Sequence, residues 1–241
     1  DFSEDTYRTL TAVESVLMMI DSAKGVEEQT KKLMEVCRLR DTPIVTFMNK
    51  FDRDSMDPFE LLDNLESILN IQCVPVTWPI GDGVDFKGVL HLATKKVQLF
   101  SSKYDPFDQK ILDASNLDSP ELKNYIGERQ LEKLKQDLEM INNLIGPFQL
   151  DEYLAGIQTP VFFGSALNNF GVKEVLDAIC EFAPTPKARV AVLAPYDETA
   201  QTLTIEPNDK EFSGFIFKIQ ANMDKKHRDR IAFLRVCSGE F

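Results

Sequence analysis

Histidine, cysteine and tryptophan are scarce in this chain: two, four and one among 241 residues. The histidines, His91 and His227, are far apart and have no companion cysteines, so their spacing excludes a zinc centre built on them. Cys37, Cys73, Cys180 and Cys237 are equally scattered, three of them in apolar surroundings. That pattern predicts reduced core thiols in a cytoplasmic protein rather than a disulfide framework. No apolar run approaches the length of a membrane span, and the first residues lack the pattern of a secretory leader. An excess of basic charge is missing too. With 27 Lys and Arg against 39 Asp and Glu, the formal net charge is -12 and the pI about 4.7, which excludes a surface that coats nucleic acid generally. Any contact with RNA has to come from a local basic patch.

What is present is enough chain for one large domain with an ample core, or one and a half smaller ones. The pattern alternates strands with helices. Val16-Leu17-Met18-Met19-Ile20 is a continuous apolar run ending at Asp21, as expected of a buried parallel strand whose C-terminal end opens on a site. Gly25 then precedes a helix with Val26, Thr30, Leu33 and Cys37 on one face. Ile44 to Met48 is the next strand. Asp57-Pro58-Phe59-Glu60 starts another helix, with a capping carboxylate, proline at the first helical position and an inner face of Leu62, Leu65 and Leu69. Gln72 to Val76 supplies a further strand.

From Trp78 to about Pro160 the rhythm breaks, and this stretch reads as an inserted subdomain. Residues 86–92 and 96–100 form a hairpin pattern. A long helix is expected from Ser119-Pro120, carrying Leu131, Leu134, Leu138, Ile141 and Ile145 at helical spacing until Gly146-Pro147 stops it. A buried strand, Pro160-Val161-Phe162-Phe163, follows, then a helix with Val172, Val175, Leu176, Ile179 and Cys180 on one face. Ala183-Pro184-Thr185-Pro186 reads as a linker. After it Phe215, Phe217 and Ile219 alternate with Ile216, Lys218 and Gln220, and Ile231 to Val236 ends in the turn Ser238-Gly239, the pattern of the first strands of a β-barrel. The expected division is therefore 1–187, with the insertion at about 78–160, and 188–241. The absence of an initiator methionine before Asp1-Phe2-Ser3-Glu4, and a barrel that stops at Phe241, give the expectation of a piece cut from a longer chain.

Two loops carry the chemistry. Asn49-Lys50-Phe51-Asp52 follows the apolar strand directly. Guanine presents two adjacent donors, its N1-H and its exocyclic amine, and a carboxylate such as Asp52 accepts both in a charge-assisted fork. Asn49 can brace neighbouring loops, and the methylene stem of Lys50 can lie along the face of the base. The tetrapeptide alone is short enough to occur by chance. The second loop, Gly164-Ser165-Ala166-Leu167, sits at the end of another predicted parallel strand, where small Ser165 and Ala166 let backbone N-H groups point at an acceptor such as guanine O6. Two loops at two strand ends, in this order, are far less expected by chance than either alone.

Together with Ile20-Asp21-Ser22-Ala23-Lys24-Gly25-Val26-Glu27-Glu28-Gln29-Thr30, these loops resemble the second half of the GTPase domain of the translational GTPases. Within that family, residues 1–10 and 215–230 resemble the bacterial peptide chain release factor 3 group, and the resemblance extends over essentially the whole chain. It implies an α/β fold, a partial three-layer P-loop-type GTPase domain with an inserted subdomain, followed by the start of a β-barrel domain. It also implies GTP or GDP as ligand, and nucleotide-binding roles for Asn49, Lys50, Phe51, Asp52, Ser165, Ala166 and Leu167. A ribosome partner and recycling of class I release factors complete the implied function. An elongation factor G type of GTPase, or a non-catalytic interaction module, stays open beside it. The family's phosphate-binding loop, first switch and Asp-x-Pro-Gly-His segment have no counterpart in these 241 residues. The resemblance therefore implies that the magnesium ligands lie elsewhere, that Asp1 to Thr6 begin the second switch helix, and that these residues alone are inactive. The basic cluster Lys225-Lys226-His227-Arg228-Arg230 is a candidate RNA or ribosomal-protein contact, or equally a solvated hairpin tip interrupted by Asp224 and Asp229.

Overall fold

The computed structural model describes residues 2–101, 110–193, 201–221 and 230–241. Its contacts divide the chain into two compact units, Ser15–Ala183 and a second made of residues 1–14 with 184–241.

In the larger unit, apolar β-branched and aromatic runs form a parallel four-stranded sheet, ordered β1 (Val16–Asp21), β2 (Ile44–Asn49), β8 (Gln158–Phe163), β3 (Gln72–Pro75). Continuous hydrophobic runs suit strands covered on both faces, and every residue of β8 is buried. The edge strand β1 departs from the expected burial. Leu17 and Met19 remain 42% and 46% exposed, because alternate side chains point to opposite faces and only one face of this edge is covered among the described residues.

Helices connect the strands. α2 (Glu28–Arg38) buries Met34 and Cys37, while Thr30 and Leu33 of the expected face are only half-buried. α3 (Pro58–Leu69) starts as its sequence predicts: the Asp57 carboxylate accepts from the Phe59 N-H at 2.9 Å, proline opens the helix, and Leu61, Leu62, Leu65 and Leu69 are buried. α7 (Val172–Phe182) buries Val175 and Ala178 but leaves Leu176 and Cys180 exposed. The expectation of core thiols thus holds for Cys37 and Cys73 alone, since Cys237 is half-buried.

The inserted region is built on a four-stranded antiparallel sheet, β4 (Thr77–Ile80), β5 (Gly88–His91), β6 (Lys96–Leu99) and β7 (Ile111–Asp113). Its hairpin β5–β6 was legible, but β4 and β7 were not. The chain enters this sheet without a loop, passing from β3 through Val76 straight into β4. The Val76 N-H donates to Val161 O at 2.8 Å and the Thr77 hydroxyl accepts from the Phe163 N-H at 3.0 Å, so β8 guides the crossing. The expected single long helix is two: α4 (Pro120–Ile126), capped by the Ser119 hydroxyl on the Leu122 N-H, and α5 (Glu128–Leu144). They break at Gly127, whose φ of 87° lies outside the helical range and is open to glycine at little cost. A short α6 (Leu150–Leu154) leads back into β8.

Aromatic rings stitch the two sheets together. Phe59 packs on Trp78 at 4.7 Å between centroids, Trp78 on Phe163 at 5.5 Å, and Phe163 edge-on to Phe51 at 5.2 Å. Trp78 is fully buried, and its indole N-H donates to the buried Asp137 carboxylate at 3.0 Å.

In the smaller unit, α1 (Phe2–Leu10) accompanies two antiparallel pairs, β9 (Arg189–Val192) with β10 (Thr202–Ile205) and β11 (Ser213–Ala221) with β12 (Arg230–Ser238). Glu14 anchors the chain after α1, accepting from Arg189 and Arg235, each at 2.9 Å. The alternation expected in β11 fails at its far end. A register shift between Ile216 and Lys218 moves the pattern by one residue, so Ile219 is 62% exposed although Phe215 and Phe217 are half-buried. Of the expected basic cluster, Lys225, Lys226, His227 and Arg228 lie outside the described residues, and Arg230 is exposed at the start of β12.

Three measurements check this packing and the faces it leaves exposed. Trp78→Phe keeps an aromatic ring but strips Asp137 of its donor, and should cost about 1–3 kcal/mol in denaturant unfolding. Burial raises the Asp137 pKa. A carboxyl whose folded pKa is raised binds its proton more tightly in the native state, so its contribution is fullest at low pH and is lost as pH rises through the folded value. Asp137→Asn should flatten that fall; an unchanged pH profile would show that Asp137 does not cause it. The exposed Leu17, Met19, Ile216 and Ile219 should also drive concentration-dependent self-association, visible as a rising apparent mass in light scattering.

Candidate functional site

The ends of β2 and β8 lie side by side because Met48 and Phe163 are register partners in a parallel pair. Beyond the strands the backbones stay tied. Gly164 N-H donates to Met48 O at 3.0 Å, and Gly164 O accepts from Phe51 N-H at 3.1 Å. Only glycine fits there, since a Cβ on residue 164 would stand 2.3 Å from Phe170 O and 2.9 Å from the Phe47 ring.

That seam brings together residues 49–52 and 165–168. Asn49 is the brace: its Oδ1 accepts from Lys50 N-H and from Ala166 N-H, both at 2.9 Å. Lys50 takes a left-handed φ of 76°, uncommon for a non-glycine residue, and its ammonium pairs with the Asp21 carboxylate at the end of β1. The Lys50 ammonium hydrogen bond holds the Asp21 carboxyl below the ordinary carboxylate range, outweighing the opposing effect of burial. The lysine stem is thereby stretched between two strand ends.

Phe51 occupies a different place from the other loop residues. Its ring is fully buried against Phe163 and Phe86, so it supports the loop from the core and offers no face to a ligand. Asp52 is half-buried, and its Oδ2 accepts from Asn168 Nδ2 at 3.2 Å. Asn168 also donates to Ser165 Oγ at 2.9 Å. This residue was missed from sequence; its only signal is a position three residues after Ser165, at the end of a 3-10 turn over Ala166–Asn168.

The backbone N-H groups of the second loop differ from expectation. Ser165 N-H donates to Phe170 O at 3.0 Å and Ala166 N-H to Asn49, so both expected donors are engaged within the protein. Ser165 is buried, whereas the Leu167 side chain is 80% exposed. The arrangement presents an acceptor carboxylate, a stretched lysine stem and small backbone on one rim, the chemistry suited to a flat heterocycle with adjacent donors. Among the described residues no group of three or more His, Cys, Asp or Glu is placed to hold a metal ion.

Two protein-family models match the chain. The elongation factor Tu GTP-binding domain matches residues 1–185, and elongation factor G domain 2 matches residues 211–241.

The brace can be tested by itself. Asn49→Ala leaves Lys50 N-H and Ala166 N-H without their shared acceptor. Amide hydrogen exchange at Ala166 should accelerate by at least about tenfold, the equivalent of one lost hydrogen bond. Unchanged protection at Ala166 would show that the seam alone positions the loop.

Proposed function

The chain belongs to the translational GTPases, and we propose that its loops Asn49-Lys50-Phe51-Asp52 and Ser165-Ala166-Leu167 read the base of a guanine nucleotide. The observation that supports this reading is the double acceptance by Asn49, which ties the loop carrying Asp52 to the small-residue loop. Asp52 Oδ1 and Oδ2 accept the guanine N1-H and amine, the Lys50 stem lies along one face, and Phe51 holds the loop down from beneath. Ala166 N-H serves O6 by sharing its proton between Asn49 Oδ1 and the base. Leu167 contributes backbone, because its side chain points outward.

The finer assignment is a ribosome-dependent GTPase of the peptide chain release factor 3 type, cytoplasmic, which recycles class I release factors at translation termination. Its support is the resemblance of residues 1–10 and 215–230. The parallel-sheet region up to residue 187 acts as part of the GTPase domain and residues 188–241 as the start of the barrel domain. GTP hydrolysis in such proteins rests on phosphate, magnesium and water-positioning contacts. These 241 residues contain no G-x-x-x-x-G-K-[S/T] run. By themselves they should release no phosphate from GTP above background, with or without ribosomes. A protein carrying these residues together with a phosphate-binding loop should speed class I release factor dissociation from terminated ribosomes. Translocation without that effect would move it to the elongation factor G type.

Asp52→Asn tests base recognition in a form that holds nucleotide. The amide places a donor against the guanine donors, so GTP affinity should fall by up to roughly four orders of magnitude. Xanthine carries a carbonyl where guanine has its amine, and xanthosine triphosphate should gain relative to GTP. Retained GTP affinity with no xanthine gain would remove Asp52 from the base site.

A further inference from the structure

Asn168 ends the 3-10 turn Ala166–Asn168, where its N-H donates to Ser165 O at 3.2 Å and the Asn169 N-H donates to Ala166 O at 3.1 Å. Such a turn repeats every three residues, so side chains three apart lie on the same side of it. Ser165 and Asn168 stand in that relation, and Asn168 Nδ2 donates to Ser165 Oγ at 2.9 Å. The same nitrogen donates to Asp52 Oδ2 at 3.2 Å. An amide nitrogen carries two hydrogens, and both are thereby committed. Ser165 is buried, and its backbone is paired in both directions with Phe170, at 3.0 and 2.9 Å. The donor that meets Asp52 is therefore anchored on fixed backbone.

Asp52 needs such an anchor. The torsion that turns a carboxylate plane is soft, with a broad minimum, and Asn168 is the one donor that reaches this carboxylate among the described residues. A carboxylate oxygen has two lone pairs, so Oδ2 can hold the Asn168 hydrogen and accept a second donor, while Oδ1 stays open. Holding one oxygen restricts the plane of both. A base with two adjacent donors makes both hydrogen bonds only when the carboxylate plane matches its own, whereas a base with one donor follows a rotated carboxylate at little loss.

We propose that Asn168 is a positioning residue for guanine selectivity: by tying Asp52 Oδ2 to Ser165 Oγ, it sets the carboxylate plane that takes the N1-H and the exocyclic amine together. The inference rests on the reading of Asp52 as the base acceptor. Asn168 acts through Asp52 and not by a contact of its own with the base. The opposite role is a plug, an amide that occupies Asp52 until guanine displaces it, and it reverses the sign of the effect on GTP.

Inosine triphosphate separates plane setting from general support of the loop, because hypoxanthine keeps the N1-H and lacks the amine. In a protein carrying these residues together with a phosphate-binding loop, Asn168→Ala should weaken GTP about tenfold, the worth of one hydrogen bond, and inosine triphosphate less than about twofold. The preference for GTP then falls by about fivefold or more. Asn168→Asp, which replaces the donor by an acceptor of like charge, should lower the preference as well. Equal losses for the two nucleotides would make Asn168 a support of the loop alone and overturn the proposal, and so would a gain in GTP affinity, the mark of a plug. The tether itself is read in the chain without nucleotide and without a change at Asn168. Asp52→Ala should speed solvent exchange of the Asn168 side-chain amide hydrogens by about fivefold or more in NMR, as expected when a hydrogen bond is lost. Unchanged exchange would remove the tether and the proposal with it. The base reading fails separately, by retained GTP affinity in Asp52→Asn. Loss of affinity there, with an unmoved preference in Asn168→Ala, removes only the role of Asn168.

Discussion

The parallel seam between β2 and β8 is the constraint on which the candidate site depends. Strand pairing alone would bring Met48 beside Phe163 and leave the loops beyond them free. The two Gly164 hydrogen bonds continue the pairing past the last strand residues, and the lack of a Cβ lets Phe170 O and the Phe47 ring close in behind. Residues 117 apart in sequence, Asn49 and Ala166, then meet across a side-chain hydrogen bond. Because one amide oxygen accepts from both loops, neither can move without leaving a donor unsatisfied. The positive φ of Lys50, which costs a side-chain-bearing residue about 1–2 kcal/mol, persists because Asn49 fixes its N-H and Asp21 fixes its ammonium.

Sequence reading succeeded where one local rule acts on one segment. The cap at Asp57, the apolar run of β2 and the loop at its end all follow from side-chain chemistry confined to a few residues. It failed where the outcome depends on a neighbour. Leu17 and Met19 belong to a run as apolar as β2, yet β1 lies at the sheet edge, and edge position is not written in the run itself. Gly127 sits in a helical pattern that continues on both sides, and only its left-handed φ reveals the break. In β11 the alternation is correct up to Phe217, and past the register shift Lys218 is half-buried and Ile219 exposed.

At the site the same division holds. Asn49 was legible as a brace because one amide oxygen can accept from two loop N-H groups. Asn168 was not, since an asparagine in a polar loop has many uses and its contact with Asp52 spans 116 residues. The engagement of Ser165 and Ala166 N-H groups was equally hidden. Whether a backbone donor is free depends on the fold of its own loop, here the return of Phe170 against Ser165.

The inserted sheet is tied into the site physically. Gly83 N-H, in the turn after β4, donates to Phe51 O at 3.0 Å and to Arg53 O at 3.2 Å. Gly83 holds a left-handed φ of 55°, and a Cβ there would stand 2.8 Å from the Asp54 carboxylate, so the turn must approach the loop as bare backbone. Asp82 adds an acceptor for Ser55 N-H at 3.3 Å, and Phe86 packs beside Phe51 at 6.1 Å. The loop that carries Asp52 is therefore held on one side by the parallel sheet through Gly164 and on the other by the antiparallel sheet through Gly83. A side chain of the antiparallel sheet, Trp78, reaches the same ring cluster from below. Rigid positioning of a two-oxygen acceptor needs support on both sides, because a carboxylate that rotates freely gives up the geometric fit of a paired hydrogen bond. The insertion interrupts the strand-helix rhythm in sequence, but in space it completes the frame around Asp52.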